Sequence, residues 1–258
     1  MTGTATRDWV DLAACSNFSF LRGASHPEEM VMAAKALGHQ AIGLADRNTL
    51  AGVVRAHKAA KQADLRLLVG ARLVTTCGFE AIAYPTDRAA YGRLCQLLTL
   101  GNRRAPKGSC WLTIEDLHTG AEGQIWVVLA PSDPDSLARF AAGLPDRAAA
   151  YLALSRSFGP GDAAQLAARA ALARQHGLTP LAVGEALFHD PDRRPLADVL
   201  HCIRTHTTVQ AAGRQLLAQA ERHLKPPEEM ARLLHGYEPA IAAQGEILRR
   251  VRFSLDGL

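Results

Sequence analysis

Short apolar runs alternate with longer segments of helical spacing along most of the chain. The run at 41–45 is wholly apolar and ends at a single aspartate, which is typical of a buried strand. The segment at 28–37 instead spaces its apolar residues three and four apart and stops at Gly38, which is typical of a helix. On the same grounds we predict strands at 9–14, 41–45, 66–74, 79–84, 124–130, 149–154 and 179–183, and helices at 28–37, 50–63, 87–100, 134–142 and 161–176.

This alternation predicts an α/β fold. At least six strand–helix units in one chain indicate parallel βα units, closed into a barrel or laid out as a doubly wound sheet. Of the two we favour a distorted TIM-like barrel, whose reactive face lies at the carboxyl ends of its strands. We predict a flexible amino terminus at 1–8, a barrel at 9–190 and an α-helical extension at 191–258, with helices at 196–204, 213–223, 227–234 and 239–251.

Composition narrows the setting of the chain. Its 258 residues are 48% hydrophobic, which suffices for one large core, and a formal net charge of +4 is compatible with a nucleic-acid partner. The five cysteines form no Cys-x-x-Cys pair, which favours a reducing cytoplasm over disulfides or a zinc knot. The start of the chain has no apolar signal core, and its apolar runs are too short for a membrane span. We therefore expect a soluble, cytoplasmic protein with no membrane contact.

The segment at 9–25 combines a buried strand, a polar turn and a helix cap at Ser25. It resembles the opening motif of the PHP (polymerase and histidinol phosphatase) domain of bacterial C-family DNA polymerases, where the strand carries His-Leu-His-x-His-Ser and the turn ends in Leu-Asp-Gly. The resemblance implies a seven-unit PHP barrel, (β/α)7, with a metal cluster at its mouth. The matching positions in this sequence hold Asp11, Ala13, Cys15 and Arg22.

The later motifs of the family can also be matched. Its Thr-Asp-His motif falls on Asp46 and Arg47, Ile-Gly-x-Glu ends at Arg72, Asn-Asp-Val-His falls on Glu185 and Leu187, and Glu80 and Ala130 stand for two further ligands. An arginine about 6 Å from a divalent cation would cost roughly 5 kcal/mol at an effective dielectric constant of about 20. We therefore expect a degenerate site without metal, cofactor or catalytic residue. In its place we expect arginines paired with the carboxylates of Asp11, Asp46 and Glu185.

Further segments resemble the damage-inducible, error-prone branch of the same polymerases. They include 16–21, 23–29, 50–57, 91–99, 188–196, 200–204 and 224–230. The resemblance implies part of a translesion DNA polymerase, a nucleotidyltransferase, whose palm would follow this chain. The implied partners are the remainder of the polymerase, DNA, mutasome proteins and the sliding clamp, the last two through the full-length protein.

Three functional hypotheses remain open at this stage. The domain is a metal-free scaffold that supports the polymerase core and docks partners. Alternatively, it is a remodelled phosphoesterase or 3′–5′ proofreading exonuclease that uses Cys15, Asp46, Glu185 and His189 with a different metal. The third hypothesis is a non-catalytic module in which Arg22, Arg47 and Arg72 hold a phosphate or a DNA end without cleaving it. Basic residues outside the motifs are further candidates for phosphate or DNA contact: Arg103, Arg104 and Lys107 in a predicted loop, and Arg249 and Arg250 near the end of the chain.

Overall fold

The computed structural model describes residues 9–131, 133–217 and 219–258; the predicted flexible segment at 1–8 lies outside them. The strands are β1 (Val10–Ala14), β2 (Ala41–Arg47), β3 (Arg66–Val74), β4 (Glu80–Pro85), β5 (Gln124–Ala130), β6 (Ala150–Leu154) and β7 (Thr179–Ala182). The helices are α1 (Pro27–Ala36), α2 (Val53–Ala63), α3 (Arg88–Arg104), α4 (Ile114–Thr119), α5 (Pro134–Ala142), α6 (Asp162–Gln175), α7 (Arg194–Thr205), α8 (Val209–Ala212), α9 (Pro227–Leu233) and α10 (Glu238–Arg250).

All seven strands belong to one curled sheet, in which they are ordered as they follow in the chain. β1, β2 and β3 run parallel, as do β5, β6 and β7, but β4 is antiparallel to both of its neighbours. The prediction of parallel units throughout is wrong at this strand. The connection at 75–79 is too short for a crossover helix, so the chain turns back on itself. The predicted fold class is confirmed. It is a distorted TIM-like α/β barrel, followed by helices at the carboxyl-terminal end of the chain.

A glutamine side chain bridges the two ends of the sheet. Gln244 of α10 is fully buried, and its carboxamide oxygen accepts from the Val10 N–H at 3.0 Å. Its amide nitrogen donates to the carbonyls of Val10 at 2.9 Å and Ala182 at 2.8 Å. One side chain thus joins β1 to β7, and α10 packs against β7. The last helix therefore helps to hold the barrel together; the predicted domain division at residue 190 stays a prediction.

Buried aromatic residues anchor the two faces of the sheet. Between the sheet and its outer helices, the Phe140 ring meets Trp126 edge-on at 5.4 Å between centroids and Phe79 at 4.9 Å. Inside the barrel, the Tyr84 hydroxyl donates to the carbonyl of Leu12, which joins β4 to β1. The barrel interior is therefore filled by side chains.

Three local predictions are wrong. The segment predicted as a helix at 213–223 contains, among its described residues, a 3₁₀ turn at Gly213–Gln215 and an isolated bridge from His223 to Phe188, and no α-helix. Helix α4 was not expected. Helix α3 continues through the predicted basic loop to Arg104. Among the described residues, no helix is long and apolar enough to cross a membrane.

Candidate functional site

The candidate site lies at the end of the barrel where β1, β2 and β3 finish, which we call the mouth. Cys15 follows β1, Arg47 ends β2 and Arg72 lies in the second half of β3. Because β4 runs antiparallel, its first residue, Glu80, also lies at this end, and Glu185 follows β7. The fold thus gathers residues from four separate sequence motifs, together with Glu80.

The mouth contains a cavity of about 240 Å³, which we call the arginine cavity. Its lining residues are Cys15, Ser19, Leu21, Arg22, Arg47, Arg72, Glu80, Leu187, Ala197, His201, Arg204, Leu217 and Arg222. Five of these residues are arginines and one is a carboxylate. The cavity therefore favours an anion over a cation.

Glu80 is the carboxylate that pairs with two of these arginines. Its Oε2 accepts from Arg72 Nε at 2.7 Å, and its Oε1 accepts from Arg47 Nη1 at 3.2 Å. All three side chains are less than one-third exposed. Both arginines stand where the family motifs carry metal ligands, so their guanidinium groups and the Glu80 carboxylate occupy part of the space at the mouth.

Glu185 supports Arg72 from the opposite side. Its Oε1 lies 3.5 Å from Arg72 Nη1, and its Oε2 accepts from the Ser155 hydroxyl at 2.9 Å. Burial would raise the pKa of Glu185, but Arg222, Arg72 and the serine outweigh it, and the net pKa is lowered. Glu185 has a left-handed backbone, with φ of 53°, which is strained for a residue other than glycine. The carboxylate is therefore ionised and held toward Arg72.

Asp46 was expected to pair with an arginine, and this expectation is wrong. Its Oδ1 accepts from the Ser16 N–H at 2.7 Å and from the Ser19 hydroxyl at 2.7 Å and N–H at 3.2 Å. Its Oδ2 accepts from the Ser16 hydroxyl at 2.7 Å. Burial nevertheless raises its pKa, against these hydrogen bonds. Asp46 thus organises the turn after β1, in which Gly23 packs so closely on the Ser16 carbonyl that a Cβ would lie 2.0 Å from it.

Asp11 also stands apart from the arginine network. It is 2% exposed, and its Oδ1 accepts from the Ala13 N–H at 3.0 Å. Burial, opposed by that hydrogen bond and reinforced by the charge of Glu185, raises the pKa of Asp11 to about 6. Asp11 is therefore a buried carboxyl group whose neighbours offset only part of the cost of burying its charge. It does not line the cavity.

The remaining motif positions carry no metal-binding chemistry. Ala13 is a buried methyl group and Leu187 lines the cavity with an apolar side chain. Burial, followed by the charge of Asp46, raises the pKa of Cys15 to about 12, so it is a thiol near neutral pH rather than a thiolate ligand.

Arg22 differs from Arg47 and Arg72 because its guanidinium has no hydrogen bond or ion pair with the described residues, although its backbone N–H donates to the Ser19 carbonyl at 2.9 Å. Burial and the positive charges of Arg47 and Arg204 lower its pKa to about 10. The group is still charged at neutral pH. Its guanidinium therefore lines the cavity without a direct ion pair, and the negative charge of Glu80 acts on it only from a distance.

The carboxyl-terminal region contributes residues that the sequence analysis missed. His201 and Arg204, three apart on one face of α7, line the cavity, and Arg204 Nη2 donates to His201 Nδ1 at 2.8 Å. Arg222 also lines it, and its Nε donates to the Glu185 carbonyl at 2.9 Å. In the sequence, segment 200–204 is identified only by its resemblance to the error-prone polymerases. The i, i+3 spacing of His201 and Arg204 is the signal that could have placed both side chains on one helix face.

Other candidates lie away from this cavity. His189 Nδ1 is hydrogen-bonded to the Ser25 hydroxyl at 2.7 Å. Unlike Cys15, His189 does not line the arginine cavity. Arg103 and Arg104 are in the last turn of α3, and Arg104 binds the buried Asp116 at 2.6 Å, so the predicted basic loop is reduced to Lys107.

Arg249 and Arg250 lie at the end of α10. Arg250 is bound to Asp146 and Glu246, both at 3.3 Å, and to the Ala148 carbonyl at 2.8 Å. These contacts lie beside the start of β6, at the end of the barrel opposite the mouth. Arg249 is exposed. Neither arginine belongs to the candidate site.

Comparison with solved structures supports the α/β barrel class. A protein from Bifidobacterium adolescentis described as a metal-dependent phosphoesterase superimposes with a TM-score of 0.52 at 15% identity, covering 69% of this chain and 87% of the other. At that identity the likeness shows the fold alone.

A family model described as "PHP domain" matches residues 11–156. The chain belongs to the PHP domain family, which confirms the resemblance seen in its motifs.

Curated relatives extend the comparison over almost the whole chain. An error-prone DNA polymerase of Caulobacter vibrioides is 46% identical over 253 residues, which is 96% of this chain and 23% of that protein. An error-prone DNA polymerase of Brucella abortus is 48% identical over 261 residues, which is 97% of this chain and 24% of that protein. The chain thus spans about a quarter of the length of these relatives.

The fold family implies a metal cluster at the mouth, and the residues present do not fit one. No group of three or more His, Cys, Asp or Glu side chains converges on a metal-binding position anywhere in the described part of the chain. Cys15 is protonated, and Arg47 and Arg72 bring positive charge to the space that a cation would occupy.

Proposed function

We propose that this chain is a non-catalytic PHP domain that supports the core of an error-prone DNA polymerase. The observation that carries the proposal is the network formed by Arg47, Arg72 and Glu80. A PHP phosphoesterase needs metal ions to activate water and polarise a phosphate. Here guanidinium groups stand at ligand positions and are held there by carboxylates. The barrel fold is retained while residues at its metal-ligand positions are replaced by arginines, which is the pattern expected of a scaffold.

The supporting role extends to the rest of the polymerase. The relatives named error-prone DNA polymerase are about four times longer than this chain. We infer that the remainder, beginning with the palm, packs against this domain in the parent protein. Damage-induced translesion synthesis, with mutasome proteins and the sliding clamp as partners of the full-length protein, is the setting that the error-prone relatives support. The cytoplasm is the compartment in which such an enzyme would act.

The remodelled-enzyme alternative is less well supported. It requires Cys15, Asp46, Glu185 and His189 to act together. The Asp46 carboxylate accepts hydrogen bonds from the hydroxyls of Ser16 and Ser19, Cys15 is a neutral thiol, and His189 lies outside the cavity. No described residue pair in the cavity offers a nucleophile beside a base.

Elemental analysis and hydrolysis assays together test the proposal. The purified 258-residue chain is expected to contain much less than one equivalent of zinc, manganese or iron. With each divalent ion added, it is expected to release no nucleotide from DNA ends and no phosphate from small esters. A stoichiometric metal whose removal by chelation unfolds the protein would contradict the proposal. So would hydrolysis that copurifies with the chain and disappears in a Glu185→Ala variant.

A further inference from the structure

The arginine cavity holds positive charge that its own residues do not neutralise. The Arg22 guanidinium has no hydrogen bond or ion pair with the described residues, and Arg204 Nε and His201 Nε2 are buried without a hydrogen-bond partner among them. Arg47 and Arg72 share Glu80. Burying unpaired donors and like charges is costly unless a ligand satisfies them. The cavity therefore has the donors of an anion site.

The carboxylates around the cavity do not cancel this charge. Glu80 is shared by Arg47 and Arg72, and Glu185 lies beneath Arg72. The Asp46 carboxylate accepts hydrogen bonds from Ser16 and Ser19 and does not itself line the cavity.

A wider groove adjoins the arginine cavity, and Arg47 lines both. This groove, which we call the aromatic groove, has a volume of about 760 Å³ and is lined by Phe18, Phe20, Trp111 and Lys107, among others. Phe20 is 79% exposed and Trp111 is 49% exposed. Large aromatic side chains exposed beside cations are the surface on which nucleic-acid bases stack, largely independently of sequence.

We propose that the arginine cavity and the aromatic groove form one site for the end of a single nucleic-acid strand, with the terminal phosphate in the cavity and the adjoining nucleotide stacked in the groove. Guanidinium groups bind phosphate oxygens through paired, charge-assisted hydrogen bonds. Arg22, Arg204 and His201 supply donors for the terminal phosphate, and Arg47 lies where the strand passes into the groove. The site binds and does not cleave, and in this respect it rests on the proposed function.

The chain offers variants that should not disturb its folding. Arg22→Gln removes a guanidinium that has no intramolecular partner among the described residues. Phe20→Ala shortens a side chain that is mostly in solvent. Arg88→Gln makes the same charge change at an exposed position at the start of α3, and Met32→Ala removes an exposed apolar side chain of α1. Equal thermal midpoints across the series would establish that binding differences are not folding differences.

Fluorescence anisotropy with the 258-residue chain, in buffer containing a chelator, tests the site. The probe is a short oligothymidylate in three forms: 5′-phosphorylated, 3′-phosphorylated and unphosphorylated. We expect one phosphorylated form to bind about tenfold more tightly than the unphosphorylated one. Arg22→Gln should abolish that preference. Phe20→Ala should weaken all three by about tenfold, and Arg88→Gln and Met32→Ala should leave both measurements unchanged.

Two alternative results would decide against this assignment, and a third against the proposed function. Equal binding of phosphorylated and unphosphorylated probes would exclude a terminal-phosphate pocket. Competition by inorganic phosphate at the same concentration as the oligonucleotide would assign the cavity to free phosphate and exclude the groove from the site. Binding that requires added metal and ends in hydrolysis would contradict the proposed function instead, so the two failures can be told apart.

Discussion

Arg72 Nε donates to Glu80 Oε2 at 2.7 Å, across the turn that joins β3 to the antiparallel β4. The same carboxylate accepts from Arg47 at the end of β2. One acid therefore holds two arginines at positions where the family motifs carry metal ligands. The reversal of β4 makes this possible, because it brings the first residue of the strand to the mouth.

Replacing Glu80 by alanine should destabilise the fold strongly. The change would leave Arg47 without its ion-pair partner and Arg72 with Glu185 alone, and a partly buried charge that loses its partner costs roughly 3 kcal/mol. Denaturant unfolding of the chain measures the loss of free energy. Glu122→Ala is the matched control, because Glu122 lies 3.6 Å from Arg93 but is 80% exposed, and the pair should contribute less than about 1 kcal/mol. Equal effects in the two variants would contradict the buried network.

Asp46→Ala should destabilise the chain through the turn after β1. The substitution removes the acceptor for the N–H and hydroxyl groups of both Ser16 and Ser19, and we expect a loss of roughly 3 kcal/mol. Asp46→Asn keeps one oxygen acceptor and should lose less. Thermal melting of the two variants checks this order. A variant pair with unchanged midpoints would show that the serines find water or other acceptors instead.

Gln244→Leu should weaken the junction between β1 and β7. A leucine of similar size fills the space but leaves the Val10 N–H and two carbonyls without their partner in a fully buried position. We expect a loss of roughly 3 kcal/mol in the free energy of unfolding. Gln165→Leu, on an exposed face of α6, is the control and should change stability by less than about 0.5 kcal/mol. Similar values for both variants would mean that the bridge is dispensable.

The sequence predicted the barrel better than it predicted the partners within it. Strand 66–74 agrees with β3 residue for residue because apolar periodicity depends on local burial. The direction of β4 was missed, since a strand has the same pattern in either orientation. Its first residue, Glu80, was accordingly matched to a metal-ligand position of the family, and we did not expect it to bind arginines.

The site itself was only partly predictable. The exchange of metal ligands for Arg47 and Arg72 is visible in the motifs, and the structure places both at the mouth. Of the three acids expected to pair with arginines, Glu185 lies beside Arg72, whereas Asp11 and Asp46 accept from other groups, because which carboxylate meets which guanidinium depends on side-chain geometry. Arg222 and Arg204 come from a region with no strand pattern, and only the packing of the carboxyl-terminal segments over the mouth brings them into the cavity.

Asp11 should make the stability of the chain fall as pH rises through the weakly acidic range. Its pKa is raised from 3.8 to about 6 in the folded protein, so folding favours the protonated form. That contribution is fully present below about pH 4, where Asp11 is also protonated in the unfolded chain, and it is lost as pH rises through about 6. A rise of about two pKa units corresponds to about 3 kcal/mol. Asp11→Asn keeps the acceptor for the Ala13 N–H and cannot ionise.

Comparing the stability of wild type with that of Asp11→Asn isolates the titration of the Asp11 carboxyl group. At about pH 4 wild type and Asp11→Asn should be similarly stable, and at pH 7 the variant should be more stable by up to about 3 kcal/mol. Glu185, Arg222 and Lys225, the charged groups around Asp11, are the same in both proteins, so their titration cancels in the difference. Chemical unfolding at a series of pH values provides the measurement. A constant difference across that range would show that Asp11 ionises in the folded protein as readily as in the unfolded chain.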